Sequence, residues 1–170
     1  MPTKKILFTL ALLAALALAK PTHATNAWDL PPLLLPDIQG NQHSLYDWHG
    51  RVILLNFWAS WCGPCLVEIP HLIEYQRQYG KNQLQVVSVG LDDLDKLKNV
   101  IRSLKIPYPV LYANPDKQLG LLTQWGDSLR VLPYTVVINR DGTIVFQRVG
   151  IFDDEAFELA VLPLIESTTH

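Results

Sequence analysis

Both cysteines of this 170-residue chain lie in Trp61-Cys62-Gly63-Pro64-Cys65, separated by two residues. Two thiols at that spacing can close into a disulfide or open to a dithiol, which is the chemistry of redox exchange. A helix opening at the motif would put Cys62 at its amino end, where unpaired N–H groups and the helix dipole stabilise a thiolate. A free thiol with a pKa near 8.5 is about 3% ionised at pH 7. Lowering it to about 7 makes it half ionised, which suits a nucleophile that attacks disulfides. Cys65 falls one turn further in and can close the ring onto Cys62. Gly63 and Pro64 keep the turn tight, and proline at an early helical position loses no needed N–H.

Two blander readings compete. A structural disulfide is possible, but a two-residue loop constrains the unfolded chain very little. Zinc needs four ligands and only His71 is near in sequence, so neither a metal nor a cofactor is expected.

The surrounding pattern supplies elements to hold such a pair. Arg51 to Trp58 is a continuous apolar run leading into the motif, as expected for a strand covered on both faces. Leu84 to Leu91 and Tyr134 to Asn139 read the same way. Leu66 to Tyr79 reads as the helix after the cysteines. Leu94, Leu97, Ile101 and Leu104 repeat at helical spacing behind Asp92, Asp93 and Asp95, with Lys105 at the end. Asn139 to Gly142 is a hairpin turn joining Tyr134–Ile138 to Thr143–Val149. Asp153 to Glu166 reads as a closing helix, capped by Asp153 and interrupted at Pro163. Trp28 to Pro36 is an extended lead-in, and Asp37 to Asn41 a turn between two short strands. Strands alternating with helices, then a hairpin and a last helix, predict a mixed central sheet with helices on both faces.

The amino terminus reads as an address. Lys4-Lys5 precedes an apolar run from Ile6 to Ala19 broken only by Thr9, with small residues following. These are the parts of a secretory signal over residues 1–24, cut after Ala24 or Ala27. The run is short of the roughly 20 residues of a spanning helix, so a soluble exported domain over 25–170 is expected, anchored only if the segment is retained. In a bacterium the destination is the periplasm, where disulfides persist. Beyond Lys20 the chain carries 11 basic against 16 acidic residues. No basic face for nucleic acid follows from that balance.

Phe57-Trp58-Ala59-Ser60-Trp61-Cys62-Gly63-Pro64-Cys65, with Glu68 and Pro70 following, resembles the thioredoxin superfamily and, more narrowly, the exported TlpA/ResA-like thiol–disulfide oxidoreductases. The likeness covers roughly residues 33–150. It implies an α/β thioredoxin fold, a central mixed β-sheet flanked by helices, with an N-terminal β-hairpin extension near 33–44. It also implies a kink at Pro70 and a cis bond before Pro133, within Leu132-Pro133-Tyr134-Thr135, packed against the cysteine pair. The backbone of Leu132 would then pair with an extended substrate segment. Trp61 has the better claim of the site's two tryptophans, Trp58 and Trp61, to touch a partner.

Glu68 is one helical turn beyond Cys65 and could exchange a proton with it, or be an exposed acid favoured by the helix dipole. Asn56, six residues before Cys62, stands where cytoplasmic thioredoxins carry a buried acid. The activity implied is a reductase of disulfides in exported proteins, fed by a membrane thiol electron donor. Cytochrome c maturation is one family role, although the heme-maturation branch carries a Gly-Ala-Pro-Glu type loop where this chain has Val131-Leu132-Pro133-Tyr134. An oxidant or isomerase is the alternative direction. A thiol peroxidase would want a hydroxyl residue at Ala59 and proline at Leu55. A copper chaperone would want wider cysteine spacing and a distant histidine, and none stands between His71 and His170.

Overall fold

Every residue of β3 (Val52–Trp58) and β4 (Leu84–Gly90) is buried, as strands covered on both faces must be. The computed structural model describes Trp28 and residues 30–81, 83–114 and 118–167. The expected secretory segment lies outside them. Ahead of β3, β1 (Leu34–Pro36) and β2 (Gln42–Ser44) pair as an antiparallel hairpin. The Asp37 carboxylate fixes its turn by accepting from the N–H groups of Gln39 (2.8 Å) and Asn41 (2.9 Å).

Helix α1 (Gly63–Tyr79) follows β3, and α2 (Leu94–Leu104) follows β4. Then come β5 (Val110–Tyr112), α3 (Gln118–Gln124), β6 (Tyr134–Ile138), β7 (Ile144–Val149), α4 (Asp154–Ala160) and α5 (Leu162–Glu166). The main sheet has the order β5-β4-β3-β6-β7, with β5, β4 and β3 parallel and β6 and β7 antiparallel. A bridge between Asp37 and Leu111 lays the hairpin along the β5 edge. The architecture is a thioredoxin fold with a hairpin extension, as the sequence predicts.

Side chains alternate across β3. Val52, Leu54 and Trp58 pack under α1, α2 and the α4–α5 pair, with Ile69, Leu72, Leu97, Ile101 and Phe157. Ile53, Leu55 and Phe57 face α3 and the amino-terminal segment, with Leu33, Leu45, Leu122 and Trp125. Gly90 lets α2 approach closely, since a Cβ there would meet Leu97 Cδ1 at 2.6 Å.

Two boundaries differ from the sequence reading. Helix α1 begins at Gly63, three residues earlier than the apolar pattern alone gives, with Pro64 in its first turn. The closing helix breaks at Val161, upstream of Pro163, which becomes an early residue of α5. Proline cannot continue a preceding turn but starts a new one without cost. Among the described residues, no helix is long and apolar enough to cross a membrane.

Candidate active site

The buried strand β3 runs straight into the cysteine motif. Ala59 O accepts from Cys62 N (3.2 Å), and Ser60 Oγ donates to the Asp92 carboxylate beyond β4, which pins the loop carrying Trp61. Cys62 is the N-cap of α1, its backbone extended while the helix begins at the next residue. Its Sγ accepts from the N–H of Cys65 at 3.2 Å. A thiolate there would meet the same amide and the positive end of a 17-residue helix.

Cys62 and Cys65 form a disulfide with an S–S distance of 2.01 Å and Cα atoms 5.3 Å apart. Exposure separates the two: Cys62 is 4% exposed and Cys65 not at all. Trp61, 67% exposed, stands beside the reachable sulfur. Trp58 is fully buried and belongs to the core.

Glu68 is where the two sequence readings part, because it is completely buried. It is not a solvated first-turn acid. Its Oε1 accepts from Asn56 Nδ2 at 2.6 Å and its Oε2 from the backbone N–H of Phe152 at 2.8 Å. Burial pushes its pKa up to about 7, against the opposing pull of those two hydrogen bonds and of the Arg148 charge. A carboxyl group one turn from Cys65 therefore changes protonation near neutrality, which suits an acid–base partner.

The antiparallel register brings the second strand segment to the same end of the sheet. Phe57 pairs with Tyr134, so Pro133 lies beside the chain as it leaves β3 for the cysteines. The Leu132–Pro133 bond is cis and Pro133 is buried. Leu132 packs its side chain on the core that includes Cys62 and Cys65. Its backbone N–H and C=O make no hydrogen bond among the described residues.

Asp127, buried and not singled out from the sequence, shapes this loop. Its carboxylate accepts from the N–H groups of Leu129 (3.0 Å), Arg130 (2.8 Å) and Val131 (2.7 Å). The Phe152 amide was also missed, and no side-chain pattern could announce a backbone donor. The only sequence signal of Thr135 is its place just after the proline, yet its hydroxyl accepts the second bond of Asn56 Nδ2 (3.0 Å). His71 is occupied by Asp154, 3.2 Å from its Nδ1.

The comparisons agree with this geometry. The AhpC/TSA family profile matches residues 28–147. The thiol–disulfide oxidoreductase ResA of Bacillus thuringiensis is 28% identical over 123 residues, spanning 72% of this chain and 68% of that one. This chain is a TlpA/ResA-like member of the AhpC/TSA family.

A Chlorobium tepidum structure assigned as thiol:disulfide interchange protein DsbE superposes on the oxidoreductase with a TM-score of 0.71. It is 31% identical and covers 79% of this chain and 94% of its own. A thioredoxin-related protein from Neisseria meningitidis serogroup B is 26% identical at a TM-score of 0.69, covering 79% and 99%. The chain is accordingly a thiol–disulfide oxidoreductase whose redox centre is Cys62–Cys65. Leu55 and Ala59, where peroxidase chemistry would want proline and a hydroxyl residue, are apolar and fully buried.

Proposed function

We propose that this oxidoreductase is exported and works as a reductase of disulfides in exported proteins, the precursors of c-type cytochromes among them. The Cys62 thiolate attacks a substrate disulfide, forming a mixed disulfide and releasing one substrate thiolate. Cys65 then gives its proton to Glu68 and attacks Cys62 Sγ, which expels the second substrate thiolate and leaves the Cys62–Cys65 disulfide. Two electrons pass from the dithiol to the substrate, and a membrane thiol donor restores them. Trp61, the free backbone of Leu132 and the buried Pro133 form the surface where an extended substrate segment lies.

The observation that carries the reductive direction is the buried Glu68 carboxyl beneath the pair. An ionised carboxylate there disfavours a neighbouring thiolate, so it raises the energy of the reduced form and makes the dithiol a better donor. Export is supported by the Lys4-Lys5 start and the apolar run from Ile6 to Ala19.

The deciding measurement is the reduction potential of Cys62–Cys65 in wild type and in Glu68→Gln. A reductase lies well below about −150 mV, and the variant should be the less reducing of the two. A wild-type value near or above that level would make the protein an oxidant or isomerase.

A further inference from the structure

One row of polar side chains crosses the otherwise apolar sheet face beneath α1. Register pairs Ser88 of β4 with Asn56 of β3, Asn56 with Thr135 of β6, and Thr135 with Arg148 of β7. These positions share a face because paired residues on neighbouring strands point the same way. Ser88, Asn56 and Thr135 are buried, and Arg148 is the row's outlet, with about a third of its side chain exposed at the sheet margin. Glu68 descends from α1 onto the middle of the row, held by Asn56.

The loop after β7 ties the two ends together. Phe152 N–H holds Glu68 Oε2, and the next residue, Asp153, holds the Arg148 guanidinium with Nη2 and Oδ2 3.4 Å apart. From the apolar loop before β5, buried Tyr108 also faces Glu68, its hydroxyl without a partner among the described residues. Asn56 Oδ1 and Ser88 Oγ are likewise buried without partners. The groups facing the carboxyl are therefore Asn56, the Phe152 amide, Tyr108, the cysteine pair and, along the row, one cation.

We infer that Arg148 is a positioning residue for Glu68, the row's solvent-end cation that helps a completely buried carboxyl to ionise during the redox cycle. Asp153 holds the guanidinium at the end of the row. Without that charge the hydrogen bonds from Asn56 and the Phe152 amide would be left to oppose desolvation by themselves, with the Asp153 carboxylate unbalanced nearby, and Glu68 would hold its proton to higher pH. A surface ion pair between Arg148 and Asp153, the alternative role, would contribute little and leave Glu68 untouched.

The inference rests on Glu68 serving as the proton acceptor, but its test does not. The Glu68 side-chain carboxyl is titrated by carbon NMR in the oxidised full-length protein, where the cysteines carry no proton. Wild type is compared with Arg148→Met and Arg148→Lys. The Met variant should raise the Glu68 pKa by about half a unit or more, the size expected of a charge acting across a partly screened distance. The Lys variant should restore at least half of that rise. A smaller rise, or one that Lys does not reverse, overturns the inference, and should the Met variant fail to fold, Arg148→Gln takes its place with the same thresholds. The rate of mixed-disulfide resolution against pH, measured on the same proteins, reports separately on the proton-acceptor role. If the Glu68 titration moves and the rate profile does not, the acceptor reading fails while the Arg148 assignment stands.

Discussion

The two faces of the central sheet are built to different rules. The face under α3 is built on Ile53, Leu55, Phe57, Val87, Val89 and Val136, all fully buried, and its polar strand residues, Gln85, Tyr134 and Gln147, are neutral. The face under α1 interrupts an equally dense core with Asn56, Thr135, Ser88 and Glu68, all but inaccessible to solvent. Burying polar groups costs stability unless they are paired, and on this face Asn56 Oδ1, Ser88 Oγ, Tyr108 Oη and Trp58 Nε1 are not, against the ring nitrogens of Trp28 and Trp125 on the other. The comparison teaches where the molecule gives up stability for chemistry, since the carboxyl whose pKa burial raises lies on the face that carries the disulfide.

The largest effect should follow from touching the sulfurs. Cys62→Ser and Cys65→Ser should each abolish turnover, but only Cys65→Ser should accumulate mixed disulfides, because only Cys62 reaches the surface. Equal trapping by the two variants, read on non-reducing gels, would remove the distinction drawn between them.

A cut into the apolar face should act on stability alone. Phe57→Ala removes a fully buried ring that contacts Trp125 and Tyr134, and should cost about 3–5 kcal/mol in denaturant unfolding. The pH profile of the reaction should keep its shape. A changed profile would mean that the two faces are not separable.

Glu68→Gln should show the cost of the polar face directly. The folded protein holds the Glu68 proton up to about pH 7, whereas the unfolded chain releases it near pH 4. Wild-type stability therefore falls as pH rises through that window and levels off above it. The variant should match wild type at pH 4 and exceed it by up to about 3 kcal/mol at pH 8, the equivalent of the shift. Identical pH dependence in both proteins would show that Glu68 does not titrate as its burial requires.

The smallest change in stability belongs to Trp61→Ala, which removes a ring that is mostly in water. Unfolding should move by no more than about 0.5 kcal/mol. KM for a protein disulfide should rise while kcat with a small disulfide stays constant, and an unchanged KM would leave Trp61 outside the substrate surface.

Much of this was legible in the sequence because the signals were local. Continuous apolar runs announced β3, β4 and β6, and Asp93 with the Leu94–Leu104 periodicity announced α2, whose N-cap carboxylate accepts from Asp95 N and Lys96 N. The short elements β5 and α3 gave no such signal. Three residues at a sheet edge are too few to show a period, and α3 follows a polar stretch. At the site, the cysteine spacing placed Cys62 and Cys65 unaided. Glu68 could be assigned to a helix turn but not to a depth, since helical spacing fixes a direction and only the strand beneath, through Asn56, decides what lies there. Arg148 and the Phe152 amide are 80 or more residues from Glu68 along the chain, and only the register of β6 and β7 brings them near.

The bridge between Asp37 and Leu111 has a consequence for how copies of this molecule treat one another. A sheet margin offers unpaired N–H and C=O groups to any passing strand, and proteins blunt that hazard by covering the margin or charging it. Here the hairpin covers the β5 margin with its own backbone, while β7 presents exposed Val145 and Val149 on one face and Arg148 on the other. One margin is shut by chain and the other guarded by charge. Deleting the hairpin would open a second sticky edge, and neutralising Arg148 would strip the first of its guard.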